Sequence, residues 1–148
     1  MKTNTTKASL HKLRVIIVVL LAFMTFQGWL GDTLNLFAVF PNGTVSYSLT
    51  GFARAVSAVG PLLIIHVLNA CLLLILGIVV AKMTFKRIES KGAKISSILG
   101  ILFIISAIIG GVLFVLSGFA NNAYSAQMGG SFIAAYAAYF VVLYYTKQ

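Results

Sequence analysis

The chain has 148 residues, of which 60% are hydrophobic and only 9% charged, and its formal net charge is +9. Its mean hydropathy of +1.03 lies outside the range of soluble globular proteins and within that of membrane proteins. Four apolar stretches are each long enough to form a helix of roughly 20 residues that crosses a hydrocarbon core about 30 Å thick. The sequence therefore predicts an all-α membrane protein, a four-transmembrane-helix up-down bundle with one membrane domain over residues 1–148 and no separate soluble domain.

The basic residues predict which side of the membrane each connection faces. We place the spans at 14–38, 58–82, 96–119 and 126–146, with a frayed basic leader at 1–13, an outer loop at 39–57 and an inner basic loop at 83–95. Arg54 is the one basic residue on the outer side. By the positive-inside rule we expect a multi-pass protein of the cell membrane with both termini in the cytoplasm. Such basic clusters are typical of contact with the anionic headgroups of a lipid bilayer, so nucleic acid is not expected as a partner.

The first span carries a polar stretch in its outer half, QGWLGDTLN, at residues 27–35. At about 100° per residue, one face of a helix presents small and polar residues together. These residues are Gln27, Gly28, Gly31, Asp32 and Asn35. Small residues let helix backbones approach closely in lipid, and polar side chains need partners there. The stripe is therefore predicted to face the interior of the bundle.

The second span has two polar residues at depths that match this stripe. Counted at about 1.5 Å per residue from the outer helix ends, Asp32 lies roughly 9 Å deep and His66 roughly 12 Å. Gln27 and Asn69 both lie roughly 16 Å deep. Since consecutive spans are antiparallel, the depths predict contacts of Asp32 with His66 and of Gln27 with Asn69. We expect an outward-facing polar network above an apolar inner half, formed by Gln27, Asp32, Asn35, His66, Asn69, Asn121 and Gln127.

The third and fourth spans carry small residues at helical spacing. Those of the third span are Gly100, Gly110, Gly111 and Gly118. They share one face, which is typical of a closely packed seam inside a bundle. Those of the fourth span are Gly130, Ala134 and Ala138. Their four-residue interval is a helix-association pattern, which favours a homo-oligomer or another membrane subunit as partner.

The outer loop contains two further signals. Pro41-Asn42-Gly43 is typical of a turn. Asn42-Gly43-Thr44 also matches the acceptor pattern for N-glycosylation, although a match of three residues is weak.

His66 lies deeper in its span than Asp32 does, and an ionisable group of this kind is a candidate functional residue because burying it in lipid is costly. Three interpretations stay open. It is a neutral imidazole hydrogen-bonded to Asp32, Asn35 or Gln27, or it is a haem or metal ligand, or it handles protons or binds a small ligand.

The haem interpretation depends on which other ligand the iron would have. His11 lies at the opposite end of the bundle, so it cannot pair with His66 within one chain. A haem would require Met128 or Met24 as the other ligand, a five-coordinate iron, or a second copy of the chain. The chain has no Cys-x-x-Cys, His-Glu-x-x-His or nucleophile-elbow motif, so no catalytic residue is identified.

Several segments carry a resemblance to known membrane proteins: QGWLGDTLNLFAVFP, the histidine in the outer part of the second span, GGVLFVLSG, and YSAQMGGSFIAAYAAY. Together they resemble small four-span proteins of archaea and bacteria that are known mainly as hypothetical membrane proteins. That resemblance implies a four-span fold and brings no established activity. The chain is also, more faintly, similar to one half of the haem A synthase family. This second similarity implies a four-helix unit with a histidine near an outer helix end, at the position of His66.

The function that these observations favour is that of a non-enzymatic accessory subunit of a larger respiratory or transport complex. The alternative is a haem-associated or redox membrane protein that uses His66. A small-solute or proton transporter is a third hypothesis, which the apolar inner half and the lack of internal repeats disfavour.

Overall fold

The computed structural model describes residues 2–40 and 47–147. Within them are five helices, α1 (Lys2–Phe37), α2 (Leu49–Val59), α3 (Pro61–Arg87), α4 (Lys91–Leu116) and α5 (Asn122–Tyr145). Four segments of these helices are long and apolar enough to cross a membrane, namely Leu10–Phe37, Pro61–Arg87, Lys91–Leu116 and Asn122–Tyr145. The all-α class and the four spans are confirmed. The leader is part of α1, which begins at Lys2.

The four long helices form a ring in which each packs on its neighbours. α3 lies between α1 and α4, α4 packs most extensively on α5, and the ring closes where α5 meets α1 with the lightest packing. One packed cluster contains Leu13 of α1, Val80 of α3, Ala93 of α4 and Val142 of α5. We call this the inner end, where α1 begins and α5 ends, and the opposite end the outer end.

The spans expose their large apolar side chains on the outside of the ring. Leu68 is 63% exposed, Ile75 58% and Ile133 69%. Contact of such side chains with water is unfavourable, since removing each of them from water is worth about 1.5–3 kcal/mol. In the hydrocarbon core of a membrane these side chains are shielded from water without a protein partner.

The inner connection is much shorter than the predicted loop at 83–95. α3 continues to Arg87 and α4 begins at Lys91, so residues 88–90 alone join them. Ser90 is the N-cap of α4 and its hydroxyl accepts a hydrogen bond from the Ala93 amide, at 3.5 Å. Lysine and arginine are good helix formers, so a basic run marks the membrane boundary without ending the helix.

The outer connection contains a helix where the sequence indicated a loop over 39–57. Ser48 caps α2 by accepting a hydrogen bond from the Gly51 amide, at 3.0 Å. Ala55 and Val56 are buried, and α2 packs across the outer ends of α3 and α4. Gly60, with φ of 103°, separates α2 from α3. The turn and the glycosylation pattern at 42–44 lie outside the described residues.

The predicted packing role of Gly118 is wrong, because α4 ends at Leu116. Gly118 has a positive φ of 69°, and its amide donates to the Val115 carbonyl at 3.0 Å. The Phe119 amide donates to the Phe114 carbonyl, also at 3.0 Å. This pair of hydrogen bonds is a Schellman ending, in which glycine suits the left-handed residue after the helix. Gly118 therefore turns the chain instead of lining a helix seam.

Glycines of α3 and α4 accommodate the largest side chain of the inner core. Tyr139 is fully buried, and its ring lies where Gly77 and Gly100 leave room. A methyl group added at Gly100 would lie 2.6 Å from Tyr139 Cζ, and one added at Gly77 would lie 2.5 Å from its Oη. The inner half of the bundle is therefore filled by a tyrosine that fits between two glycines.

We expect Gly100→Ala to lower the free energy of unfolding by about 1–3 kcal/mol, because the buried ring of Tyr139 has no room to move. Gly129→Ala is the matched control, since a methyl group there would meet no atom within 4 Å. Thermal unfolding of both purified variants in one detergent measures the difference. Equal unfolding temperatures would contradict this account of the inner core.

Candidate functional site

The outer half of the bundle encloses a cavity of ≈ 450 Å³ between the four spans. This volume lies in the range of sites for small organic molecules, which are mostly apolar with a few well-placed polar groups. Its floor includes Leu73, Ile104 and Phe132, which also belong to or pack against the inner core. The cavity therefore ends at mid-bundle and lies above a packed inner half.

Aromatic side chains line the cavity at the outer end. Phe40 stacks on Phe119 with ring centroids 4.6 Å apart. Phe114 meets Phe40 and Phe119 edge-on, at 6.1 Å and 5.7 Å. Phe52 of α2 also lines the cavity, and the same outer cluster contains buried Val56. The helix that the sequence analysis missed is thus part of the cavity's cap.

One wall of the cavity carries a hydrogen-bonded polar network between α1 and α3. The Asn69 side-chain amide donates to Gln27 Oε1 at 2.7 Å and to the Phe23 carbonyl at 3.1 Å. The Gln27 side-chain amide lies 3.1 Å from His66 Nε2 and donates to the His66 carbonyl at 3.2 Å. Gln27 and Asn69 are buried, at 7% and 6% exposed. The predicted contact of Gln27 with Asn69 is present as the shortest of these bonds.

Both ends of this network are backbone carbonyls, which can only accept hydrogen bonds. The Phe23 carbonyl requires the Asn69 nitrogen, so Gln27 must present its oxygen to Asn69. The Gln27 nitrogen then faces His66, where the second carbonyl also requires it. A nitrogen that donates to His66 Nε2 leaves the proton of the neutral imidazole on Nδ1. The network therefore holds His66 neutral, with an N–H at Nδ1.

The Nδ1 atom of His66 is buried and has no hydrogen-bond partner among the described residues. A buried donor without a partner costs about 1–3 kcal/mol. The same imidazole ring borders the cavity. His66 thus combines a fixed protonation state with one unused donor at the cavity wall.

The predicted contact of Asp32 with His66 is wrong. His66 receives its side-chain hydrogen bond from Gln27, and no hydrogen bond joins it to Asp32 or Asn35 within the described part of the chain. The reason is the rotation of α1 about its own axis, which directs Gly31 toward the His66 ring. A methyl group added at Gly31 would lie 3.6 Å from His66 Cε1. Asp32 is one residue farther round the helix. Asp32 and Asn35 lie at the edge of the cavity and are exposed.

Asn121 and Gln127 do not join this network. Asn121 is exposed and caps α5, where its side-chain oxygen accepts from the Ala123 amide at 3.0 Å. Gln127 donates to the Ser106 hydroxyl at 3.5 Å, and Ser106 lies 2.9 Å from Ser131. These bonds join α4 to α5. The outer polar residues therefore form separate local contacts in place of one continuous network.

The remaining small residues lie in three different settings. Gly28 faces the Phe132 ring, at 3.5 Å from an added methyl group. Gly110 and Gly111 face Met128. A methyl group added at Gly110 would lie 3.1 Å from the Met128 backbone nitrogen, and one added at Gly111 would lie 3.3 Å from the Met128 sulfur. The stripe of Gly130, Ala134 and Ala138 is divided, since Gly130 is exposed, Ala134 half-buried and Ala138 buried in the chain itself. Ala138 thus contributes to the chain's own core.

Metal and haem ligands are sparse around the cavity. Within residues 2–40 and 47–147, no three His, Cys, Asp or Glu side chains are grouped as a metal site. Met128 lines the cavity with His66, whereas Met24 is fully buried in the inner core. Coordination through His66 Nε2 would replace its bond with Gln27. Coordination through Nδ1 would move the proton to Nε2, where it would face the N–H groups of Gln27.

Four apolar helices, with apolar side chains directed outward, define a multi-pass integral membrane protein. Its site is a mostly apolar cavity with one polar wall. Comparison of the chain with family models, with curated proteins and with solved structures gave no match. The resemblances stated from the sequence therefore stay predictions.

A double-mutant cycle distinguishes the observed network from the predicted contact of Asp32 with His66. We expect Gln27→Leu and Asn69→Leu to be coupled by about 0.6–2 kcal/mol, as for side-chain hydrogen bonds between membrane helices. The matched cycle of Asp32→Asn and His66→Leu should show coupling near zero, because these two side chains share no hydrogen bond. Unfolding of the wild type and of all single and double variants in one detergent gives both values. A larger coupling in the second cycle would contradict the described arrangement.

Proposed function

We propose that this protein is a non-enzymatic membrane protein that binds a small lipophilic molecule in the outer cavity. We further propose that it does so as an accessory subunit of a larger respiratory or transport complex. The observation that carries the proposal is the cavity of ≈ 450 Å³ with apolar walls and one polar wall at Gln27 and His66, with Asn69 bonded to Gln27 behind it. Apolar walls supply affinity for a lipophilic molecule, and a few polar groups orient it.

Binding without catalysis is supported by the chemistry of the polar wall. Gln27 and Asn69 are amides, which neither donate a proton for catalysis nor act as nucleophiles under ordinary conditions. Their hydrogen bonds hold His66 in one neutral form. General acid–base catalysis needs a group that exchanges its proton during the reaction. A histidine fixed in this way is better suited to recognition.

The same network argues against the haem alternative. Iron binds a nitrogen lone pair, and the lone pair of His66 points to Gln27, at 3.1 Å.

The purified protein should therefore be colourless after expression with haem supplied. A Soret band that is present in the wild type and absent from His66→Ala would contradict the proposal.

The filled inner half argues against the transporter alternative. Alternating access moves a solute through the bundle by opening one side after the other. Below the cavity the inner core contains Leu20, Met24 and Tyr139, which are fully buried, and its described members include no charged side chain. This packing favours a molecule that enters and leaves from the outer half.

An accessory role is supported by the outward face of α5. Gly130 is exposed, and a methyl group added there would meet no atom within 4 Å. Ala126 is also exposed and lies on the same side of the helix. Small residues of this kind let the helix of a second membrane protein approach closely.

Filling the cavity should abolish ligand retention. We expect Ala107→Phe, at the cavity wall, to remove the lipophilic molecules that co-purify with the wild type, because its ring would occupy their space. Ile105→Phe on the same helix is the matched control, as Ile105 is exposed and does not line the cavity. Extraction of both purified variants followed by mass spectrometry measures this. Equal retention in the two variants would contradict the cavity as the binding site.

The accessory role predicts a partner that depends on α5. Extracted mildly from its native membrane, the tagged protein should co-purify with another membrane subunit. We expect Gly130→Leu to lose that subunit, because the larger side chain prevents close helix packing. Ile75→Phe on the exposed face of α3 is the control and should retain it. Recovery of the wild type only as a free monomer would overturn the accessory role.

A further inference from the structure

A surface groove adjoins the cavity at the seam between α1 and α5. It is lined by Thr25 of α1 and by Tyr136, Ala137 and Phe140 of α5. Phe132 and Ile133 line both the groove and the cavity. The two spaces therefore meet at these residues, where the ring of helices has its lightest packing.

The groove lies on the lipid-facing surface of the bundle, beside the cavity. Ile133 is 69% exposed and Phe140 49% exposed, so both contact the hydrocarbon around the bundle. Toward the inner end, the Thr25 and Tyr136 hydroxyls lie 3.0 Å apart across the seam. A flexible apolar chain could lie in this groove while the group that it carries occupies the cavity.

The cavity walls indicate an uncharged group. No lysine or arginine is among the described residues that line the cavity, so an anionic phosphate or carboxylate would find no counter-charge there. A cation would face the N–H groups of the polar wall, because Asp32, the acidic residue of the lining, lies at the exposed edge of the cavity. His66 Nδ1 is one unused donor, buried in a side chain that lines the cavity. An uncharged hydrogen-bond acceptor, such as a carbonyl oxygen, is the group that complements this wall.

The volume and lining of the cavity favour a ligand with a ring over one with a linear carbonyl group. Five phenylalanines surround the space, namely Phe40, Phe52, Phe114, Phe119 and Phe132. Aromatic side chains favour stacked or edge-on contacts with planar rings, at about 0.5–1.5 kcal/mol beyond the area buried. A space of ≈ 450 Å³ is much larger than an ester group requires.

We propose that the cavity binds a membrane quinone, with its ring between the phenylalanines, one carbonyl oxygen accepting a hydrogen bond from His66 Nδ1–H, and its apolar chain in the groove between α1 and α5. This inference rests on the proposed function and names the class of ligand for the same cavity. Binding requires a small tilt of the imidazole toward the cavity, which the broad second side-chain torsion of histidine permits. The ring enters sideways from the lipid past Ile133.

The test compares three probes of equal chain length in nanodiscs made from quinone-free lipid. The probes are a benzoquinone with a decyl chain, the methyl ester of a ten-carbon fatty acid, and decane. Protein-free nanodiscs give the background for each probe. The wild type should retain the quinone about tenfold more strongly than the ester, since ring contacts and a better-placed hydrogen bond together supply roughly 1.4 kcal/mol.

Two variants locate the quinone. Ala137→Trp fills the groove and should lower quinone retention at least tenfold, whereas Val141→Trp on the same helix, outside both groove and cavity, should leave it unchanged. With the quinone carbonyls ¹³C-labelled, infrared spectra should show one carbonyl band shifted to lower frequency in the wild type and unshifted in His66→Phe. If His66→Phe does not fold, the carbonyl band of the wild type still tests the hydrogen bond to the quinone, and the three probes still test the class of ligand.

The outcomes distinguish this inference from the proposed function. One outcome is that the wild type retains the ester or decane as well as it retains the quinone, and that Ala107→Phe loses all three probes. That result would overturn the assignment of a quinone and would leave the cavity as a binding site. Retention of no probe above background, with no effect of Ala107→Phe, would overturn both. An unshifted carbonyl band in the folded wild type would overturn the contact with His66. Full retention in Ala137→Trp would overturn the groove as the site of the chain.

Discussion

The side chains of Gln27 and Asn69 are hydrogen-bonded to each other, and together they connect two backbone carbonyls that belong to different helices. In hydrocarbon an amide has no water to complete its hydrogen bonds, so each of its atoms must meet the correct partner within the protein. Asn69 carries the connection to the Phe23 carbonyl, and the Gln27 nitrogen reaches the His66 carbonyl directly. Since carbonyls cannot donate, this arrangement fixes both amide orientations and the form of His66. It also holds α1 and α3 in one register at the level of the cavity.

The two halves of the bundle use small residues to opposite effect. In the inner half, Gly77 and Gly100 face Tyr139, whose ring fills the space they leave. In the outer half, Ala107 borders the open cavity, and Gly31 and Gly111 line the same cavity while facing His66 and Met128. A small residue directed inward thus allows dense packing in the inner half and borders open volume in the outer half. The side chain that faces the small residue determines which of the two occurs.

Much of the architecture could be predicted from hydropathy, because a span needs only length and apolar composition. Depth in the membrane was also predictable, since each helical residue advances by a constant rise, and Gln27 and Asn69 do meet. Rotation about the helix axis was not, because it depends on which neighbours pack where. Asp32 and His66 match in depth, yet Gly31 faces the imidazole ring. Local signals account for the missed α2, whose N-cap at Ser48 lies close to a proline and glycines that are typical of turns.

The position of α2 bears on how a molecule could reach the cavity. Its buried face and the stacked rings of Phe40 and Phe119 cover the outer end, which is the direct route from water. The packed inner core covers the opposite end. The groove at the seam between α1 and α5 lies beside the cavity and faces the hydrocarbon, and the molecules dissolved there are lipophilic. A neutral donor at His66, held by amides that do not ionise, then suits a group that lipid itself tolerates. Position and chemistry thus favour the same class of ligand, one that arrives through the membrane and stays uncharged.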